Sequence, residues 1–543
     1  MSIVLTFFAV LLLITSVFAG PQAATKLLTD YLQSNEAILI DGTFPPRFSW
    51  LPFSTDRNVS QSAYQIIVTR VTEPVTIMWD SGTIISSQMS HVSYAGTSLA
   101  SDEVYSWTVT WTDNNGVVAP TSSPAYFATG LLTQQEWTQA AWIGCPLHGN
   151  GNPNYNQIRA EFDIAAPNGV TIVQARAYVT AVGYYNLRIN GQWANQWEGM
   201  KRPILDPGWT TYEMTSLYNA YDITNQLVSS GPNAISIMLG NGWPDISPVP
   251  GNASYEEAQV SLSPEELVQA RLAGPKPFTE NGGENREMRL IIKIRTSDDK
   301  TTTWTSTAAS FNRGTTTTDA PLGQWMCGSG ALQYDNVYNG CTWDQTKYTT
   351  GWDLPRFDYS LGNWTSAVLR ADPGGAHPTV MRPQAFPAVT IQDTFVPISI
   401  NSPAPGVYIF DLGQNIAGYV RLSLPAPVAS GVTIQIRHAE LLQHPPYGPK
   451  DGNIYVGNLR SARATDLYTT GGVSEGVEVF EPVFTYHGFR FVEVTGLPFA
   501  PTVDTILGIH IRTGVEHVGN VVAPSGATAL NQTSTRCYVG IRK

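Results

Sequence analysis

At 543 residues the chain is too long for a single core, and about three or four domains are expected. Its 42% hydrophobic and 14% charged residues belong to folded protein rather than to long disordered stretches. A net charge of −12 repels phosphate backbones and anionic lipid, which excludes nucleic acid and membrane surfaces as partners and leaves neutral carbohydrate acceptable.

The chain opens with an apolar run, Ile3 to Ala19, in which Val17-Phe18-Ala19 offers a small-x-small cleavage signal before Gly20. Residues 1–19 are therefore expected to be a secretory signal peptide. The protein would be extracellular, or held in the lumen of the secretory or lysosomal pathway, with no membrane attachment after cleavage. An uncleaved anchor is the other reading, since no Lys or Arg precedes the run and it is almost long enough to span. Four Asn-x-Ser/Thr sequons, at Asn58, Asn252, Asn363 and Asn531, agree with export and mark candidate N-glycosylation sites. The four cysteines are Cys145, Cys327, Cys341 and Cys537, with no Cys-x-x-Cys spacing. Cys327 and Cys341 are near enough in sequence to close a small loop if oxidised; two buried thiols are the alternative.

After the signal, Ala24–Gln33 reads as a short helix or linker. A first domain is expected over 36–130. In Val104–Trp111 the residues Tyr105, Trp107, Val109 and Trp111 share one face and Ser106, Thr108 and Thr110 the other, the period of a half-buried strand. Tyr64, Ile66 and Val68 mark a second, and Asp113-Asn-Asn-Gly116 a turn. Length and spacing suggest an immunoglobulin or fibronectin-like sandwich. A second domain is expected over 142–372, with strands at Ala177–Val182 and Tyr184–Asn190, and with Leu290, Ile292 and Ile294 alternating against Ile291, Lys293 and Arg295. One helix is predicted from the Ser263 N-cap through Pro264, Glu265 and Glu266 to Gly274. Thr315–Thr318 reads as an exposed loop. A third domain is expected over 377–512, where Val432, Ile434 and Ile436 alternate and Phe489–Val494 forms a strand. The fold class is all-β: tandem β-sandwiches, one immunoglobulin/fibronectin-like and two larger of jelly-roll type. Residues 513–543 form a small-residue-rich tail.

Candidate chemistry is sparse. The adjacent acids Glu256-Glu257, Glu265-Glu266 and Asp298-Asp299 are sequence neighbours, whereas an inverting glycosidase needs two carboxyls about 6.5–9.5 Å apart across a sugar bond. His438 and Glu440 could share one strand face as a metal pair, but no third ligand is evident, and a hydrogen-bonded surface pair is the plainer reading. No catalytic residue, metal-ligand set or cofactor is assigned. The tryptophans are more informative. Trp193, Trp197, Trp209 and Trp243 lie in or near predicted loops of the second domain, where aromatic rings can stack on the C–H faces of sugars or plug sandwich ends. Trp197, Trp209 and Trp243 are the sugar-binding candidates.

The same segments carry a family resemblance. Ala63-Tyr-Gln-Ile-Ile-Val68, Trp79-Asp-Ser-Gly82, Tyr105-Ser-Trp107 and Phe127-Ala-Thr-Gly-Leu-Leu132 are joined by Gly183-Tyr-Tyr185, Ile189-Asn-Gly191, Leu205-Asp-Pro-Gly-Trp-Thr210 and Leu239-Gly-Asn-Gly-Trp243. Phe410-Asp-Leu-Gly-Gln-Asn415, Arg437-His-Ala-Glu440 and Phe484-Thr-Tyr-His-Gly-Phe-Arg490 follow. In order and spacing over residues 36–512 these resemble the N-terminal part of bacterial-type α-L-rhamnosidases. The resemblance implies accessory β-sandwiches, one of them rhamnose-binding in some members, followed by an (α/α)6 barrel that holds the general acid and base. The barrel's Asp-Cys-Pro-Gln-Arg-Asp-Glu stretch is not found, so no catalytic position carries over, and the chain is expected to be an inactive fragment. In Tyr338–Asp344, Cys341 stands where the family commonly has Glu, and Thr346 where it has Arg. The implied partner is a rhamnose-containing glycoside or polysaccharide. A secreted non-catalytic carbohydrate-binding protein and a cell-surface interaction protein are the other readings.

Overall fold

The computed structural model describes residues 20–33, 39–40, 44–72, 74–146, 154–164, 166–194, 202–244, 286–307, 324–445, 450–460 and 462–515. The signal run, the helix expected from Ser263, the loop Thr315–Thr318, Trp197, Asn252 and Asn531 lie outside these residues. The chain divides into two compact units, Met1–Leu132 and Thr133–Lys543. Both are built from β-sheets, and among the described residues the only α-helix is the short Gln134–Trp137.

In the first unit a six-stranded sheet faces a four-stranded one. Strands Gln61–Arg70 and Val104–Asp113 pair antiparallel, and the apolar positions meet in register: Tyr64 opposite Trp111, Ile66 opposite Val109, Val68 opposite Trp107. Tyr105, Trp107, Val109 and Trp111 are all buried, as their alternation predicts. Each such side chain contributes about 1.5–3 kcal/mol relative to exposure.

The segment Ala24–Gln33, expected as helix or linker, is instead mostly strand. Pro21–Thr29 pairs with Arg47–Ser54 through two register shifts and turns back at Asp30 and Tyr31, both at positive φ. Its place is set by the tryptophans of the facing sheet: the Trp107 indole donates to Thr29 Oγ1 at 3.0 Å and that of Trp111 to the Gln22 carbonyl at 2.8 Å. Buried indole N–H groups need acceptors, and this irregular strand supplies them. The first domain therefore begins well before residue 36.

The second unit contains a seven-stranded sheet centred on Ile172–Val182 and Glu287–Thr296, facing a six-stranded sheet centred on Pro232–Gly240 and Gln157–Asp163. Ala177, Val179, Leu290 and Ile292 from one sheet meet Ile158, Phe162, Ile235 and Ile237 from the other in one apolar core. Ile291, on the opposite side of its strand, is buried as well. The Gln134–Trp137 helix covers part of that outer face, with the Trp137 ring 5.1 Å from Tyr218.

A disulfide joins Cys145, just beyond strand Ile143–Gly144 of the first sheet, to Cys327 in strand Met326–Gly328 of the second. The Cys327–Cys341 pairing expected from sequence is not formed; Cys341 is buried in the Gly340–Asp344 strand and takes no part in the bridge. Nearness along the chain did not predict nearness across a sandwich.

A ten-stranded sheet completes the unit. Its longest member, Val407–Pro425, pairs with His487–Thr495, Ile506–Thr513, Ser399–Ala404 and Val477–Phe480. The boundary expected between 372 and 377 is crossed in both directions. Gly340–Asp344 pairs parallel with Thr465–Thr469, and Val380–Pro383 pairs parallel with Thr215–Asp222. Strands from either side of that boundary thus interlock by backbone hydrogen bonds, which fixes the loops described next.

Candidate functional site

Three loops of the second unit bring Trp209, Trp243 and Tyr338 into one aromatic row. The Trp209 and Trp243 ring centroids are 5.5 Å apart with planes tilted by 36°. Trp243 and Tyr338 are 5.6 Å apart, edge to face. Trp209 is 61% exposed and Tyr338 45%, while Trp243 is half-buried between them. An exposed indole next to a second ring leaves an apolar face with polar edges, the surface on which a sugar ring can stack.

Each loop is held from below. The Gly208 N–H donates to Gln384 Oε1 at 2.7 Å, and the Asp206 carbonyl accepts from the Tyr185 N–H at 2.8 Å. Phe386, itself 49% exposed, packs on Gly208. Two residues before Trp243, Asn241 bonds to Asp335 through its N–H and side-chain amide at 2.6 and 2.8 Å, and Arg286 Nε donates to Asn241 Oδ1 at 2.6 Å. Gly242 passes so close to Gly183 that a Cβ on it would lie 2.8 Å from the Gly183 Cα, and both are at positive φ, so glycine is required at each. Tyr338 sits in a turn closed by Asn336 Oδ1, which accepts from the N–H groups of Tyr338 and Asn339, both at 2.9 Å.

Under the row the electrostatics are those of burial. Burial pushes the Tyr184 and Tyr185 hydroxyls far above their ordinary range and that of Tyr212 up to about 12. Burial likewise pushes the Asp206 carboxyl up to about 7. The three tyrosines are neutral near neutral pH, whereas Asp206 changes charge there.

Of the sequence candidates, Trp209 and Trp243 are therefore brought together, and Trp197 is outside the described residues. Trp193 is not a free platform: the Arg188 and Arg202 guanidinium carbons each lie 4.4 Å from its ring centroid. Tyr338 and Phe386 were missed as candidates. Tyr338 was visible only as an aromatic in a Val-Tyr-Asn-Gly turn signal. The adjacent acids Asp298 and Asp299 lie at a turn, with Asp298 paired to Lys300 at 2.6 Å. Asn58 and Asn363 are exposed.

The third-domain motifs converge on one another. Arg490 makes two hydrogen bonds to Asp411, at 2.7 and 2.8 Å. Asn415 reaches Glu440 at 3.1 Å, and Asn458 reaches its other oxygen at 2.9 Å. His438 and Glu440 thus part company, and the expected surface pair is not made. His438 is fully buried beside Asp466 and His487, and burial, with His487 beside it, pushes its imidazole down to about 3.

Comparison with known proteins gives a uniform picture. Residues 24–133 match the family model for a "Rha78A-like, N-terminal immunoglobulin domain", residues 170–271 that for the "Alpha-L-rhamnosidase N-terminal domain", and residues 401–512 that for the "Bacterial alpha-L-rhamnosidase concanavalin-like domain". An alpha-L-rhamnosidase of Alteromonas sp. (strain LOR) is 31% identical over 465 residues, which cover 83% of this chain and 43% of that protein. One from Streptomyces avermitilis is 33% identical over 358 residues, covering 66% and 28%. Among solved structures, the alpha-L-rhamnosidase from Dictyoglumus thermophilum superposes with a TM-score of 0.74 at 29% identity, covering 95% of this chain and 51% of that one. The Streptomyces avermitilis alpha-L-rhamnosidase complexed with L-rhamnose superposes with a TM-score of 0.75 at 22% identity, covering 96% and 60%, a likeness of fold. The chain spans less than half the length of these curated relatives.

Proposed function

We propose, for a chain that belongs to the α-L-rhamnosidase family and carries its N-terminal β-domains, that the Trp209–Trp243–Tyr338 row holds the rhamnose-bearing end of a glycoside or polysaccharide. Through that binding the chain serves the hydrolysis of terminal α-L-rhamnose. The observation that carries this reading is the exposure of Trp209, at 61%, on a loop fixed by hydrogen bonds at both flanks. A large apolar ring kept at the surface by a rigid loop is suited to a ligand with an apolar face.

The β-domains contribute binding rather than acid–base chemistry. Many of their carboxylates are engaged in ion pairs: Asp411 with Arg490, Glu493 with Arg437, Glu481 with Arg421, Asp353 with Arg188 and Glu161 with Arg159. A carboxylate so held is a poor general acid, because the adjacent guanidinium opposes its protonation.

Export fits the same reading. The Ile3–Ala19 run is removed before Gly20, and the Cys145–Cys327 bridge suits an oxidising compartment. Exposed Asn58 and Asn363 are then open to glycosylation.

Saturation-transfer NMR of the chain with L-rhamnose and with an aryl α-L-rhamnoside tests the proposal. Transfer to the sugar C–H protons, lost in Trp209→Ala, is expected, while the aryl rhamnoside stays intact. Absence of transfer at millimolar sugar would remove the binding reading; turnover by this chain would show that its own carboxylates do the chemistry.

A further inference from the structure

Three adjacent strands of the ten-stranded sheet, Thr465–Thr469, Thr433–Ala439 and His487–Thr495, each deliver one potential metal ligand to a common point. His487 Nε2 lies 3.2 Å from Asp466 Oδ2, and His438 Nε2 lies 3.8 Å from the same oxygen. One donor atom from each residue falls within 4.8 Å of the others. The three residues are buried, His438 and Asp466 completely.

The state of His438 is fixed by its surroundings. Its Nδ1 is 2.9 Å from the Ala464 carbonyl oxygen. A carbonyl only accepts, so Nδ1 carries the proton and Nε2 of the neutral ring presents a lone pair. That Nε2 is buried and has no hydrogen-bond partner. It faces a carboxylate oxygen, lone pair toward lone pair. An unmade hydrogen bond at a buried polar atom is destabilising, and the mutual repulsion adds to it.

The rest of the arrangement holds this geometry in place. Asp466 Oδ1 is engaged by the Cys341 N–H at 2.8 Å, and Oδ2 accepts from the His487 Nε2–H at 3.2 Å while also facing His438 Nε2. Gly340, at a φ of +101°, lets its strand come close enough to do this, since a Cβ there would collide with the Thr465 carbonyl. The two rings stack at 4.1 Å, and Phe489 meets His438 edge-on at 4.6 Å. A histidine that donates Nδ1–H to a backbone carbonyl and leaves Nε2 bare has the outer contact that orients metal-ligating imidazoles.

We propose that His438, Asp466 and His487 form a structural site for one divalent transition-metal ion. Two imidazole nitrogens and one carboxylate oxygen are a donor set that suits Zn2+, with a water or hydroxide as the fourth ligand. The ion would take the place of the His487 Nε2 proton, which leaves for solvent or moves to Nδ1, and would turn the opposed lone pairs of His438 and Asp466 into two bonds. It would also tie three strands together at a point the family motifs Arg437–Glu440 and Phe484–Arg490 both reach. Because the site is buried, the ion enters during folding.

The test is refolding of the full chain from denaturant, with Zn2+ or with chelator, followed by metal analysis after gel filtration. One zinc per chain and a higher melting temperature for the zinc-refolded form are expected. His438→Gln and His487→Gln should abolish uptake, whereas His444→Ala, which removes an exposed histidine paired with Asp451, should not. Should the first two variants fail to fold, Co2+ refolded into the unaltered chain decides. Intense visible bands of a four-coordinate ion support the site, and a weak six-coordinate spectrum overturns it. No uptake of Zn2+ or Co2+, or uptake unchanged in a folded His438→Gln, would also overturn it.

Discussion

Arg490 grips Asp411 through two parallel hydrogen bonds of 2.7 and 2.8 Å, joining two motifs that lie 79 residues apart. The guanidinium fork matches the carboxylate edge, a geometry lysine cannot reproduce. The Arg490 hydrogen bonds hold the Asp411 carboxyl below its ordinary range. The pair's contribution is therefore present above the unfolded pKa of about 4 and is lost as pH falls through the lower folded value. Arg490 is partly exposed, so a double-mutant cycle of Arg490→Lys and Asp411→Asn should give a coupling of only ~1 kcal/mol at neutral pH. A coupling near zero at low ionic strength would show the fork to be a surface contact of no energetic weight.

The Cys145–Cys327 bridge spans 182 residues and ties the two sheets that enclose the central core. Constraint of so long a loop in the unfolded chain is worth about 2–5 kcal/mol. Cys145→Ser with Cys327→Ser should lower the melting temperature, and a non-reduced digest should contain the Cys145–Cys327 peptide pair. Recovery of a Cys327–Cys341 peptide instead would contradict the arrangement.

What was legible in the sequence was local. The alternation of Tyr105, Trp107, Val109 and Trp111 is a property of one strand, and it placed four buried side chains on one face. The bulged Pro21–Thr29 strand has no such period, because its position is set by two indole N–H groups of one strand far along the chain, Val104–Asp113. His438 was visible as a residue on a strand face, but Asp466 and His487 meet it only through sheet pairing, which spacing does not reveal. The same holds for Tyr338. Its turn could be read from Asn and Gly, but its contact with Trp243 goes with the hydrogen bonds that hold Asn241 to Asp335, 94 residues along the chain.

Asp206 gives a pH dependence of unusual sign. Burial raises its folded pKa to about 7, above the unfolded value of about 4. The folded state binds this proton more tightly than the unfolded state. The group is therefore least unfavourable below about pH 4; stability falls as pH rises from there to about 7 and then levels off, a change on the order of 4 kcal/mol. Glu287, raised by burial to about 8, acts in the same direction. Asp206→Asn keeps an acceptor for Gln384 and removes the titration. It should be more stable than the parent at about pH 8 and closely similar at about pH 4. Denaturant unfolding at the two pH values measures this; an Asn variant that is weaker by the same amount at both would mean that Asp206 is ionised in the fold without penalty.

Binding and stability should separate across the tryptophans. Trp209 is 61% exposed, so Trp209→Ala removes little buried area and should shift stability by no more than about 0.5 kcal/mol. Its indole is the most exposed face of the aromatic row, and loss of the stacking partner should weaken sugar binding about tenfold. Trp243 is half-buried, packs with Tyr184 and Phe484 in the core beneath the row, and touches both Trp209 and Tyr338. Trp243→Ala should therefore lose binding and also about 1–3 kcal/mol of stability. Trp193 supplies the control. Its ring is occupied by Arg188 and Arg202, and Arg188 is in turn paired with Asp353 at 2.8 Å. Trp193→Ala should disturb those cations and leave sugar affinity unchanged. Melting curves beside rhamnose titrations of the three variants distinguish a stacking platform from a structural plug. If Trp209→Ala binds as well as the parent while Trp193→Ala does not, the sugar face lies on the arginine-flanked side, and the row of three rings serves packing alone.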